Sequence, residues 1–188
     1  MMQCVDFREM FFDPWKHLTR LLQREIGSFH TTMYLKRCYI NIVMDIGHGL
    51  RIVDLGLVHQ DLFIIGDLQL GFEQDMQRKG TLLPRFQLQD ILERLKKIFQ
   101  QIHVKTLVIN GDVKHAFGTI LESEWRELLQ LFDFCLKHVE EIILVKGNHD
   151  LMIDPVAKKR NIRVVDFYRK DDLLIFHGHK QIKEQGKF

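Results

Sequence analysis

Three short apolar runs constrain the fold of this chain more than any other feature. DLFIIGD (61–67), VKTLVINGD (104–112) and EIILVKGNHD (141–150) each stop on Gly-Asp or Gly-Asn-His-Asp. Continuous branched apolar residues bounded by turn formers read as strands buried on both faces. Between them lie PRFQLQDILERLKKIFQQI (84–102) and LESEWRELLQLFDFCLKHV (121–139). The first repeats apolar residues at helical spacing through Phe86, Leu88, Ile91, Leu92, Leu95, Ile98, Phe99 and Ile102, with Pro84 suited to its first turn. The second does so through Leu121, Trp125, Leu128, Leu129, Phe132, Cys135 and Leu136. Strand, helix, strand, helix, strand specifies an α/β fold around a parallel sheet. IRVVDF (162–167) reads as a fourth strand and DLLIFHGHK (172–180) as a fifth.

The first 45 residues do not follow this alternation. PWKHLTRLLQREI suits a helix and MYLKRCYINIV a strand, but neither carries a motif. The chain therefore divides into a segment 1–45 of uncertain origin and a domain from 46 to 188. At 188 residues it can bury one substantial core. Three cysteines without CxxC spacing argue against a disulfide framework or a thiolate zinc site and fit a reducing cytoplasm. No apolar run approaches the ~20 residues that span a bilayer, so no membrane partner is expected. The net charge of +2 is too small to imply nucleic acid by itself. Residues 158–188 hold nine Lys and Arg against four Asp and Glu, which reads first as a solvated basic surface.

A strand ending in Gly-Asp is by itself a common turn, and one histidine is more often structural than a ligand. The joint pattern is more specific. Parallel strands gather their carboxyl ends on one edge of a sheet, where α/β proteins bind ligands. Asp67, Asp112, Asn148 with His149, and His177 all fall at such ends. Carboxylate, amide and imidazole together suit Mn²⁺, Mg²⁺, Fe²⁺ or Zn²⁺. A central carboxylate can bridge two ions about 3.5–4 Å apart, and Asp112 on the middle strand is placed to do so. His115 and His179 read as structural.

These motifs resemble the calcineurin-like metallophosphoesterase superfamily, whose pattern is D-x-H, GD, GNH[DE], H and a closing GHxH. The blocks GDLQLGFEQDMQRKGTLLPRFQ, NGDVKHAFG and VKGNHD are similar to archaeal ICC-like phosphoesterases related to the SbcD nuclease. The resemblance implies a two-sheet α/β sandwich that hydrolyses a phosphomonoester or phosphodiester, on nucleotides or nucleic acid, with metal-activated water. It implies that Asp67 holds a first ion, Asp112 bridges, Asn148 and His177 hold a second, and His149 acts at the scissile phosphate. The family metal it implies first is Mn²⁺.

Two departures alter the expectation. Gln69 stands where the family has histidine, and its amide oxygen is a weaker donor. No GHxH follows HGHK at 177–180. The reading is thus a domain incomplete at its C-terminus, with one ion rather than two, slow turnover and an exposed sheet edge that favours self-association. The alternative is a truncated or non-catalytic homologue acting as a binding module.

Overall fold

The computed structural model describes residues 43–47, 49–118 and 120–179. The helix expected at 14–26 and all of the strand expected at 33–43 except Val43, which opens β1, lie outside the described residues. Seven strands form one sheet in chain order: β1 (Val43–Gly47), β2 (Leu50–Val53), β3 (Gly56–His59), β4 (Leu62–Ile65), β5 (Thr106–Asn110), β6 (Glu141–Val145) and β7 (Arg163–Val165). Strands β1 to β4 pair antiparallel, and β4 to β7 pair parallel. A separate antiparallel pair joins β8 (Phe167–Lys170) to β9 (Leu173–Phe176). Among the described residues the helices are α1 (Phe72–Arg78), α2 (Gln87–Phe99), α3 (Glu122–Cys135) and α4 (Asp154–Lys158).

Alternation along the central strands sorts side chains between two cores. Phe63, Ile65, Leu107, Ile109, Ile142 and Leu144 share a core with Leu95 and Ile98 of α2 and Leu128, Leu131, Phe132 and Cys135 of α3. Leu62, Ile64, Val108, Ile143 and Val145 form the other core with Ile175 of β9, packed by Tyr168 and Leu173. Helices cover one face and the β8–β9 hairpin the other, which is the expected two-sheet α/β architecture. Burying a large aliphatic side chain contributes about 1.5–3 kcal/mol, so this double burial makes β4, β5 and β6 the rigid base of whatever their ends carry.

Several expectations need correction. IRVVDF does not form one strand: β7 ends at Val165 and β8 begins at Phe167 in the other sheet. The fifth expected strand, β9, is antiparallel and belongs to that second sheet. Helix α2 starts at Gln87, beyond Pro84, because Glu73 of α1 accepts the N–H groups of Phe86 and Gln87, both at 3.1 Å. Phe86 therefore lies before the helix, 55% exposed, and is not part of its buried stripe.

Candidate metal centre

Beyond the strand ends, two loops continue side by side. Asp67 donates its N–H to the Gly111 carbonyl at 3.0 Å, Gln69 to Asp112 at 3.0 Å, and Leu70 to Val113 at 2.9 Å. His115 returns an N–H to Leu70 at 2.8 Å. This ladder fixes the Asp67 loop against the Asp112 loop without regular strand geometry. Asp67, Gln69 and Asp112 all adopt left-handed backbone, with φ of 52°, 50° and 47°. Such non-glycine conformations cost of order 1–3 kcal/mol and cluster where function over-determines the backbone.

Glycine is required at two contacts in this cluster. A Cβ on Gly147 would lie 2.1 Å from Asp112 Oδ1, and one on Gly111 would lie 2.2 Å from His177 Nδ1. Both glycines let neighbouring chain segments close around Asp112. The third loop is tied in by Asp150, which is fully buried. Its Oδ1 accepts the Val113 N–H at 3.1 Å, and its Oδ2 accepts the Gly147 N–H at 3.0 Å. Burial raises the Asp150 pKa, with the Asp112 charge adding to it and backbone N–H donors, Gly147 foremost, acting against it.

The structure brings Asp67, Asp112 and His177 together: one ligand atom from each lies within 4.8 Å of the others. His177 reaches this point from the end of β9, entering from the second sheet and not from the parallel edge. Its Nδ1 lies 3.2 Å from the Asn110 carbonyl, which can only accept, so Nδ1 carries the proton. That leaves Nε2 to face Asp112 Oδ2 at 3.4 Å. Burial lowers the His177 pKa, but the hydrogen bond to Asp112, with its charge, outweighs burial and raises it above 6.5. Asp112 shows the reciprocal balance. Burial pushes its carboxyl up, yet His177 and the His149 N–H, at 2.9 Å from Oδ1, hold it below the ordinary value. Asp67 is raised chiefly by burial, with Asp112 adding to the shift.

The remaining expected residues lie on the loops beside Asp112. Asn148 is half-buried between Gly147 and His149, both of which contact Asp112. His149 donates Nδ1–H to the His115 carbonyl and places Nε2 3.8 Å from Asp112 Oδ2. Gln69 turns its amide N–H toward Asp112 Oδ2 at 3.3 Å, while its oxygen takes the ring N–H of His115 at 3.0 Å. His115 is thus a hydrogen-bonded supporting residue beside the cluster, as the structural reading expects, and its Nε2 lies 3.5 Å from Asp75.

Two carboxylates and one imidazole with its proton fixed on the outer nitrogen are a donor set for a divalent cation. The residues fit one ion well. For Gln69 to ligate, its amide would have to release His115 and reverse.

The calcineurin-like phosphoesterase family model matches residues 61–186, from the start of β4 past His177. No curated protein sequence matches the chain. Among solved structures, the Pseudomonas putida nuclease MPE is similar with a TM-score of 0.52 at 18% identity, covering 66% of this chain. The match spans 60% of that nuclease's length. At this identity the likeness concerns the fold. Among the described residues no helix is long and apolar enough to cross a membrane. The family match covers more than half the chain and contains every residue of the Asp67–Asp112–His177 cluster, so the chain belongs to the calcineurin-like phosphoesterase family.

Proposed function

We propose that the protein is a metal-dependent phosphoesterase acting on nucleotide or nucleic-acid phosphoesters. The observation that carries this reading is the convergence of Asp67, Asp112 and His177 on one point at the loop edge of the sheet. A bound Mn²⁺ ion, the metal we favour, would lower the pKa of a water molecule and neutralise phosphate charge. Asp67, Asp112 and His177 would hold the ion, and Asn148 on the adjoining loop would complete the set. Gln69 serves as a hydrogen-bond donor that orients Asp112. His149 faces the phosphate with Nε2, where it stabilises developing charge or gives a proton to the leaving oxygen. The Nδ1–H bond to the His115 carbonyl fixes its ring for that task.

The blocks around Asp67, Asp112 and Asn148 support a place near the SbcD-related enzymes, and the fold shared with a nuclease supports a nucleotide-type substrate. The odd cysteine count, with Cys135 a buried free thiol, supports a cytoplasmic setting.

The test is hydrolysis of an aryl phosphodiester with saturating Mn²⁺ by the native chain and by Asp112→Asn and His149→Ala. Asp112→Asn should reduce turnover to background, and His149→Ala should lower it by about 10²–10⁴-fold, the usual range for a positioned acid. Turnover that survives Asp112→Asn would come from another protein and would remove the reading. Full activity in His149→Ala would remove its assigned role.

A further inference from the structure

We infer that Phe117 is a stacking platform for an unpaired nucleobase, so that the phosphate presented to His149 belongs to a nucleotide unit. This rests on the phosphoesterase reading of the same site and adds the chemistry of the group attached to the phosphate.

Four aromatic rings form a continuous series that meets the metal centre at His149, beside Asp112. Phe117 packs on the His149 ring with centroids 3.6 Å apart and planes tilted by 36°. His149 continues to His115 at 6.0 Å and 29°, and Phe72 closes the series edge-on to His115 at 5.1 Å. Phe117 is nevertheless 66% exposed. One side of its ring rests on the residue that faces the phosphate, and much of the rest is open to water. Exposing a large apolar ring beside a polar centre gains nothing for folding. An aliphatic side chain would shield His149 equally well, whereas a flat π-face selects a flat partner.

A nucleobase meets that requirement because it is planar and tethered to its own phosphate through the sugar. Every base has a π-face, so the platform tolerates sequence and demands only that the base be unpaired. Free nucleotides and single-stranded ends of nucleic acid share this chemistry.

The experiment is calorimetric titration, at fixed Mn²⁺, of two non-hydrolysable ligands: the methylenephosphonate analogues of AMP and of ribose 5-phosphate. They differ only in the base. The AMP analogue should bind the native chain about 5- to 150-fold more tightly, the range for one base stacked on one aromatic ring. Phe117→Ala and Phe117→Leu should both erase that preference while leaving the ribose analogue unchanged, and Phe117→Trp should keep it. Phe117 is exposed, so none of these changes empties the core. A single-stranded hexanucleotide that gains from Phe117, where a blunt duplex does not, would place the base at a nucleic-acid end. Gain confined to the mononucleotide would place it in a free nucleotide.

Equal binding of the two analogues would overturn the platform while leaving the phosphoesterase reading intact. A base preference retained in Phe117→Leu would also overturn it, because hydrophobic cover alone would then suffice. Binding of neither analogue would remove the phosphoesterase reading and the platform with it.

Discussion

Asp54, Gln60 and Asp171 share left-handed backbone with Asp67, Gln69 and Asp112. The first three occupy two-residue turns between β2 and β3, β3 and β4, and β8 and β9. Tight hairpins need positive φ there because the mirror-image turns match the twist of the strands. The second three lie on loops that run together without a hairpin and hold buried or half-buried polar groups. Both sets incur the same local cost, of order 1–3 kcal/mol per residue. In the turns it is repaid by strand pairing. At the site it is held by cross-loop hydrogen bonds and serves to aim Asp67 and Asp112 at His177. Strain in a backbone therefore marks function only when the side chain, and not the turn, is what the conformation positions.

That contrast can be broken most forcefully at Asp150, which clamps the Asp112 and Asn148 loops together. Asp150→Ala leaves the Val113 and Gly147 N–H groups buried without their carboxylate, at about 1–3 kcal/mol each. Urea unfolding should show a loss of roughly 2–6 kcal/mol. A change below 0.5 kcal/mol, taken as the scale of an ordinary surface substitution, would mean the loops do not depend on this clamp.

Next in size is Gly147→Ala. The added methyl would meet Asp112 Oδ1 and the Asp112 backbone nitrogen, so the loop must move. Overpacking of this kind costs about 1–3 kcal/mol. Mn²⁺ affinity should fall with it, because the displaced group is Asp112. Unaltered affinity would show that the loops are less closely coupled than their contacts indicate.

A third effect concerns pH. The Asp112 carboxylate raises the His177 pKa above 6.5, so the metal-free chain retains a proton that Mn²⁺ must displace. Protonated His177 predominates below its folded pKa, and affinity is weakest there. Affinity should rise with pH by up to tenfold per unit until His177 is neutral, then level off. His177→Ala should flatten that dependence, and a native affinity independent of pH across the window above 6.5 would contradict it.

The smallest effect lies in the turns. Gln60→Gly relieves left-handed strain but loosens the unfolded chain, leaving a net gain of up to about 1 kcal/mol. Thermal unfolding should show a slightly higher Tm with Mn²⁺ affinity unchanged. A loss of Mn²⁺ affinity would dissolve the distinction between the two sets.

The sequence was most legible where burial repeats with a period. Strands β4, β5 and β6 and helices α2 and α3 stand out because their apolar residues follow the geometry of each element. The β2–β3 hairpin leaves little mark in the sequence: its strands are four residues long, and Asp54-Leu55 carries no Asn-Gly or Asp-Gly signal. Helix α1 has seven residues and none buried, so no stripe announces it. The break between β7 and β8 falls at Asp166, where no glycine or proline punctuates the sequence. At the site, Asp67, Asp112 and His177 were readable from strand ends and motif. The role of Asp150 was not, because one carboxylate at the end of GNHD looks the same as a turn residue until its backbone donors are known. The Gln69–His115 contact depends on two loops running side by side, which no single segment discloses.

Asp67, Asp112 and His177 are proposed to act together as a metal site. The most direct test is the Mn²⁺ binding isotherm, followed by paramagnetic resonance of free Mn²⁺, for the native chain and Asp112→Asn. The native chain should bind one ion saturably. Asp112→Asn should weaken that binding by at least about 100-fold, beyond the range typical of residues that only support a ligand. Equal affinity in the two proteins, or no saturable Mn²⁺ binding by the native chain, would contradict the assignment of this cluster as the metal centre.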